Sequence, residues 1–417
     1  MIKSDVLTQA IADIWDKIVI NSGSDYELFE SELLTLLRLL EGSKGREEEL
    51  VQGLIFALFK RFDAAYTLLN QAIAPYQAKG PAQFCDGVKK HRYVSVPVFY
   101  GTDRAFVDKV DGAVIYGSER DDLSFGIAKV SIPDDHRMGK IEKMNLWRLQ
   151  FREDPEKHIV LLGVETLPIE TFEINVQNAL KQSSKKEVMI FVHGYYTGFV
   201  DALTRAAQIA YDLKFEGFIG LYSWPSEGAR TKYVVDETNV KWSCPQFVDF
   251  LRVVRENLGA EKIHIIAHSM GAQLIVDTLA FMTSSLDTQQ ASIGQVVFAA
   301  PDIDASIFKN LAGHFSKKAD QFTLYASSND KAIMASKMFH KYPRAGDSGL
   351  GLVIVPSVDT VDVTAINTSM DGHSYFGDNR SVLTDIFELI KHGSHPQDRA
   401  GLVAKKRYGK QYWEFIS

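Results

Sequence analysis

Apolar positions along the chain change period near residue 90. Up to about residue 80 they recur at helical spacing. Leu33, Leu34, Leu36, Leu37, Leu39 and Leu40 crowd one segment, which Gly42-Ser43-Lys44-Gly45 breaks. A second helix is predicted over about 46–60 and a third from near Asp63, with Pro75 following its end. The last two fit one helix-turn-helix unit of the tetratricopeptide kind, but one unit makes no solenoid, so a helical bundle is the expectation. From Arg92 onward, short apolar runs alternate with amphipathic ones, the pattern of a mostly parallel sheet covered by helices. Strands are predicted at 93–100, closed by Gly101-Thr102-Asp103-Arg104, and near 126–132 and 146–151. Others are predicted at 158–166, 187–192, 218–223, 262–267, 296–300, 322–326 and 358–363. Helices are predicted at 170–182, 199–213, 246–258, 331–340 and 381–391, with further ones starting after Ser269 and near Ala305. The expected organisation is a helical domain over 1–85, an α/β domain over 86–393 and a polar, basic, peripheral tail over 394–417.

Composition narrows this picture. At 417 residues the chain exceeds one ordinary core, and 46% hydrophobic residues fit a globular protein. A net charge of −7 argues against non-specific nucleic-acid binding. Cys85 and Cys244, the two cysteines, are too few for a disulfide framework. Asp5, Asp13 and Asp16 interrupt the first apolar segment, which reads as an amphipathic helix and not a signal peptide. No apolar stretch reaches spanning length, so no membrane span and a cytoplasmic location are expected.

The chemistry gathers around 262–283, where a buried strand runs into Ala267-His268-Ser269-Met270-Gly271 and then a helix. Small residues beside Ser269 allow a sharp strand-to-helix turn that exposes its hydroxyl, a nucleophile elbow. A serine in such a place needs a base and a group to orient that base. The order Ser269, Asp330, His373 supplies both from loops at the carboxyl edge of the sheet. Asp302 is the alternative acid, although Asp302 and Asp304 could instead cap the helix near Ala305. Backbone N–H groups of Met270 and Tyr195 are the candidate oxyanion donors, with Gly194 allowing close approach. His193 is expected to be structural, and Tyr196, Trp224 and His268 to line a substrate pocket. Arg344 could anchor an anionic group, but a solvated turn is the simpler expectation. No zinc spacing, HExxH or phosphate loop is present, so no metal or cofactor is expected.

The pieces VPVFYGTDR (96–104), VSIPDDHRMGKIE (130–142), FVHGYYTGFVDALTRAAQIAYDL (191–213), LYSWPSEG (221–228), IHIIAHSMGAQL (263–274), QVVFAAPDID (295–304), TLYASSNDKAI (323–333), PRAGD (343–347) and GHSYF (372–376) resemble a bacterial α/β-hydrolase family of unknown function. The resemblance covers most of 92–376 and implies the α/β-hydrolase fold with Ser269, Asp330 and His373 as its triad. That family often carries Asn where this chain has Tyr196, and residues 1–85 lie outside the likeness. The expected function is a serine hydrolase cleaving a carboxylic ester or thioester, small or lipid-like, through an acyl-enzyme. The alternatives are an amidase or peptidase with the same triad, or an interaction protein that recruits a partner through its helical N-terminus.

Overall fold

The computed structural model describes residues 92–110, 113–143, 154–281, 291–349, 351–366, 373 and 375–416. They belong to the compact unit formed by 91–143 and 154–417. The expected helical domain over 1–85 and the strand near 146–151 lie outside the described residues.

Among the described residues the strands are β1 (Tyr93–Val110), β2 (Ala113–Pro133), β3 (Leu161–Leu167), β4 (Glu187–Val192), β5 (Phe218–Ser223), β6 (Lys262–His268), β7 (Ser292–Ala299), β8 (Gln321–Ala326), β9 (Asp359–Asp362), β10 (Leu402–Arg407) and β11 (Lys410–Phe415). They form one sheet in the order β10-β11-β9-β8-β7-β6-β4-β5-β1-β2-β3. From β1 through β5, β4, β6, β7 and β8 to β9 every pairing is parallel. The helices are α1 (Ile169–Gln182), α2 (Phe199–Asp212), α3 (Tyr233–Trp242), α4 (Cys244–Glu256), α5 (Gly271–Phe281), α6 (Ala305–Phe315), α7 (Lys331–His340), α8 (Tyr375–Asp378) and α9 (Arg380–His392). None of them is long and apolar enough to cross a membrane.

Both faces of the sheet are covered, which explains why its central strands read as continuous apolar runs. Along β4, Val188, Ile190 and Val192 join one core cluster with α1, α4, α5 and α6. Met189 and Phe191, pointing the other way, join the second with α2 and α9. The chain steps from β4 to β5 on one side, then returns to place β6 on the other. Strand order therefore reverses at β4, and the crevice opened there at the carboxyl ends is where such sheets hold ligands.

Three expectations need correction. Gly101 to Arg104 does not end the first strand. β1 continues to Val110 in an antiparallel ribbon with β2, with register shifts at Thr102/Arg104, Arg104/Phe106 and Phe106/Asp108. The bulges re-aim Arg104 inward, and polar residues at a bulge look like a turn in sequence. The strand predicted at 158–166 begins only at Leu161. Finally, residues of the presumed peripheral tail form the β10–β11 hairpin, and β11 pairs in parallel with β9. Trp413 and Phe415 enter the second core cluster, so these two side chains fasten the hairpin to the domain.

Candidate active site

Ser269 follows β6 and holds φ at +52°, a left-handed backbone that a non-glycine residue adopts only when its surroundings force it. Backbone hydrogen bonds on both sides of Ser269 and the close approach of the loop after β4 supply that force. Ser269 N–H donates to Ala299 O at 3.0 Å, and Asp302 N–H donates to Ser269 O at 3.0 Å. Gly271 opens α5 where a Cβ would overlap the His193 carbonyl oxygen, so the loop after β4 lies directly across the helix start. A Cβ on Gly194 would stand 2.6 Å from Ser269 Cβ, which places the backbone of this loop against the elbow.

Asp330 caps α7, its Oδ1 accepting from Ile333 N at 3.0 Å, and it is fully buried. His373 Nδ1 lies 3.0 Å from Asp330 Oδ1 and 2.8 Å from Oδ2. An Nδ1–H donated to that carboxylate leaves the lone pair on Nε2. His373 is held from both sides. Tyr375 OH donates to Tyr325 O at 2.9 Å, which anchors α8 to β8. The His268 ring lies 4.6 Å from that of His373 and stacks on Phe376, and its Nε2 is 3.3 Å from His373 O. Burial and the neighbouring His373 push His268 well below the usual imidazole range, so it is neutral and donates that bond. Ser269 Oγ makes no hydrogen bond to another described residue.

The two candidate acids separate clearly. Asp302 accepts from Tyr233 OH at 2.7 Å, Ser336 Oγ at 2.6 Å and Arg344 Nε at 2.6 Å. It is consumed by a buried ion pair, and Asp304 alone caps α6 through Ser306 N and Ile307 N. Arg344 is accordingly buried, neither a solvated turn nor an anchor for an outside anion.

The loop after β4 is braced by Arg104, whose sequence context suggests only the end of a strand. Arg104 is 1% exposed and spends its whole guanidinium on neutral acceptors. Nε donates to Ser223 Oγ, Nη1 to Gly117 O and Ser226 O, and Nη2 to Thr197 O, with His193 Nε2 at 3.4 Å. Burial and the adjacent Arg104 charge lower the His193 imidazole to about 3, so it is neutral. Its Nδ1–H donates to Gly194 O at 2.8 Å. Asp236 completes the bracing by accepting from Tyr196 N, Ser226 Oγ and Glu227 N. Tyr196 has φ +61°, a left-handed conformation that Asn tolerates better than Tyr. Trp224 was expected at a pocket wall. It is instead fully buried, stacked 5.0 Å from His193, with Nε1 donating to His193 O.

A cavity of about 700 Å³ opens beside the elbow, with His268, Phe191, Phe376 and Tyr196 among its walls. One rim is the loop 134–143, pinned by His136. Its Nδ1 meets Glu142 Oε2 at 2.8 Å and its Nε2 meets Asp212 Oδ1 at 2.9 Å. Burial opposes the imidazolium, but the two carboxylates outweigh it and raise His136 to about 9. A raised folded value means this stabilisation is complete below about pH 6.5 and is lost as pH climbs through 9. Water reaches part of the cluster, as Glu142 is 21% exposed, so the expected loss is about 1–2 kcal/mol. Urea unfolding at pH 6.5 and 9.5 checks it: the drop should shrink in His136→Gln, and an unchanged drop would assign it to other groups.

The sequence pattern of a family described as alpha/beta hydrolases of unknown function (DUF900) matches residues 170–389. An uncharacterized protein of Nostoc sp. is 26% identical over 195 residues, 39% of this chain and 50% of that protein. The chain thus spans about half the length of that curated relative. Among solved structures, a predicted CIB-like hydrolase from Thermoplasma acidophilum aligns at 13% identity and TM-score 0.30, covering 69% of this chain and 97% of that one. A lipase-esterase related protein from Clostridium acetobutylicum aligns at 10% identity and TM-score 0.28, covering 50% and 94%.

Proposed function

The chain belongs to the DUF900 family of α/β-hydrolases, and from that premise we propose that it is a serine hydrolase cleaving a carboxylic ester or thioester through an acyl-enzyme. Ser269 Oγ attacks the acyl carbon while His373 Nε2 takes its proton, and Asp330 holds the imidazole in the Nδ1–H tautomer. The Met270 and Tyr195 N–H groups receive the oxyanion, with Gly194 giving the carbonyl room. Collapse breaks the bond to the leaving oxygen or sulfur, which takes the proton from His373. Water then repeats the sequence and frees the acid. The observations that support this reading most are the His373–Asp330 pair, 2.8 Å at its shorter contact, the 4.6 Å approach of the His373 ring to that of His268, and the left-handed backbone of Ser269 next in the chain. Hydrogen bonds between nucleophile and base are often long without substrate and tighten when it binds. The bracing of the 193–197 loop by Arg104 and Asp236 suits a donor that must be in place before charge develops. A fluorophosphonate probe tests the proposal. Ser269 should be labelled, with the adduct mapped to its peptide, and Ser269→Ala should stay unlabelled. Equal labelling of the two proteins would overturn it.

A further inference from the structure

The charged wall of the cavity beside the elbow is uneven. Lys143 Nζ pairs with Asp201 at 2.7 Å, an exposed contact, and Arg205 Nη1 pairs with Asp378 at 2.7 Å. Lys140, on the same rim, pairs with neither carboxylate, so three cations face two acids. Arg205 is more informative than the count. Its side chain is only 18% exposed, and its Nη1 donates to both Asp378 Oδ1 and Gln208 Oε1. Nε and Nη2 make no hydrogen bond among the described residues. That edge is not sealed from solvent, and its planar pair of N–H groups matches two oxygens of one anion. Asp201 and Arg205 sit four residues apart on α2, so both side chains rise on one face of that helix. His268, which contacts the His373 ring, lines the same space and feels the Arg205 charge.

We propose that this cavity is a subsite for an anionic oxygen group, a carboxylate or a phosphate, carried by the ester substrate and held by the free edge of Arg205 with Lys140. The assignment rests on the ester-hydrolase reading and narrows it: the substrate bears a negative charge at one end and the scissile carbonyl at the other. The net excess of one cation in the wall matches one charge.

The test compares p-nitrophenyl hemiglutarate with neutral p-nitrophenyl valerate. The wild-type chain should prefer the anionic ester by about tenfold or more in kcat/KM, a preference that weakens with added salt. Arg205→Gln and Lys140→Gln should each lower that ratio by about tenfold; Lys140 is exposed, so its variant carries no folding risk. A wild-type ratio near one, or a ratio both variants leave intact, would overturn the proposal. A second measurement is independent of turnover. Calorimetry on Ser269→Ala with glutarate monomethyl ester and with inorganic phosphate should give saturable binding to one of them, lost in Ser269→Ala/Arg205→Gln. The probe that binds separates carboxylate from phosphate, and binding of neither would overturn the subsite. If neither ester is cleaved and Ser269 resists labelling, the acyl-enzyme reading fails, while calorimetry still decides the anion site.

Discussion

Ser269→Ala should reduce ester turnover by about 10⁶-fold while leaving substrate binding close to its original strength. The size of the effect follows from the division of labour in the site. On the proposed mechanism the oxyanion donors are backbone groups, one of them in the loop braced by Arg104 and Asp236, so they survive the change and sustain a residual rate over water. The attacking atom does not survive. Alanine fits the left-handed turn about as well as serine, since the strain lies in Cβ and the backbone, which the two share. Steady-state kinetics with a chromogenic ester checks this, with the urea midpoint as a control for folding. A loss of tenfold or less would mean that another group is the nucleophile.

Asp330→Asn should cost about 10⁴ in kcat with KM little changed. Asparagine keeps an oxygen for the α7 cap at Ile333 N, so the fold is expected to hold. It also presents an amide N–H₂ toward His373, which favours the imidazole tautomer with its lone pair on Nδ1 and leaves Nε2 unable to accept a proton. The same change at Asp302 is the informative contrast. It breaks one side of a buried ion pair with Arg344 and should act on stability, by about 3–5 kcal/mol, far more than on the chemical step of the protein that remains folded. Should Asp302→Asn instead match Asp330→Asn in kcat at equal stability, the assignment of the acid would be wrong.

Much of this could be read from the chain. Glu187 to Val192 and Phe218 to Ser223 are continuous apolar runs because both sheet faces are covered, and their ends fall where the pattern stops. Ser269, Asp330 and His373 stand out through their order at strand ends, and the structure joins the last two by direct contact. The rest was hidden for definable reasons. α3 buries Asp236 and Asn239 beside Val240, so its inner face is polar and shows no apolar period. Arg104 lies in a polar stretch at a bulge, where a charged side chain looks solvated. Its importance depends on acceptors from four other segments, including Gly117 and Ser226, that no local window contains. Trp224 misled for the related reason that a large residue near a sheet edge suggests a pocket, and Arg344, expected in a solvated turn, is instead buried against Asp302.

The β10–β11 hairpin bears on how firmly Asp330 is held. Arg407 on β10 donates to Ser348 O and Gly349 O, and Ser348 Oγ meets Thr364 Oγ1 at 2.7 Å. Thr364 in turn receives Ser328 N and Asn329 Nδ2, the two residues before Asp330. Without β10 and β11 the chain would keep its turn at Ser269 and its loop after β4 but lose the far support of Asp330. Truncating the hairpin should therefore loosen the segment that carries Asp330 while the strand-to-helix turn at Ser269 stays in place.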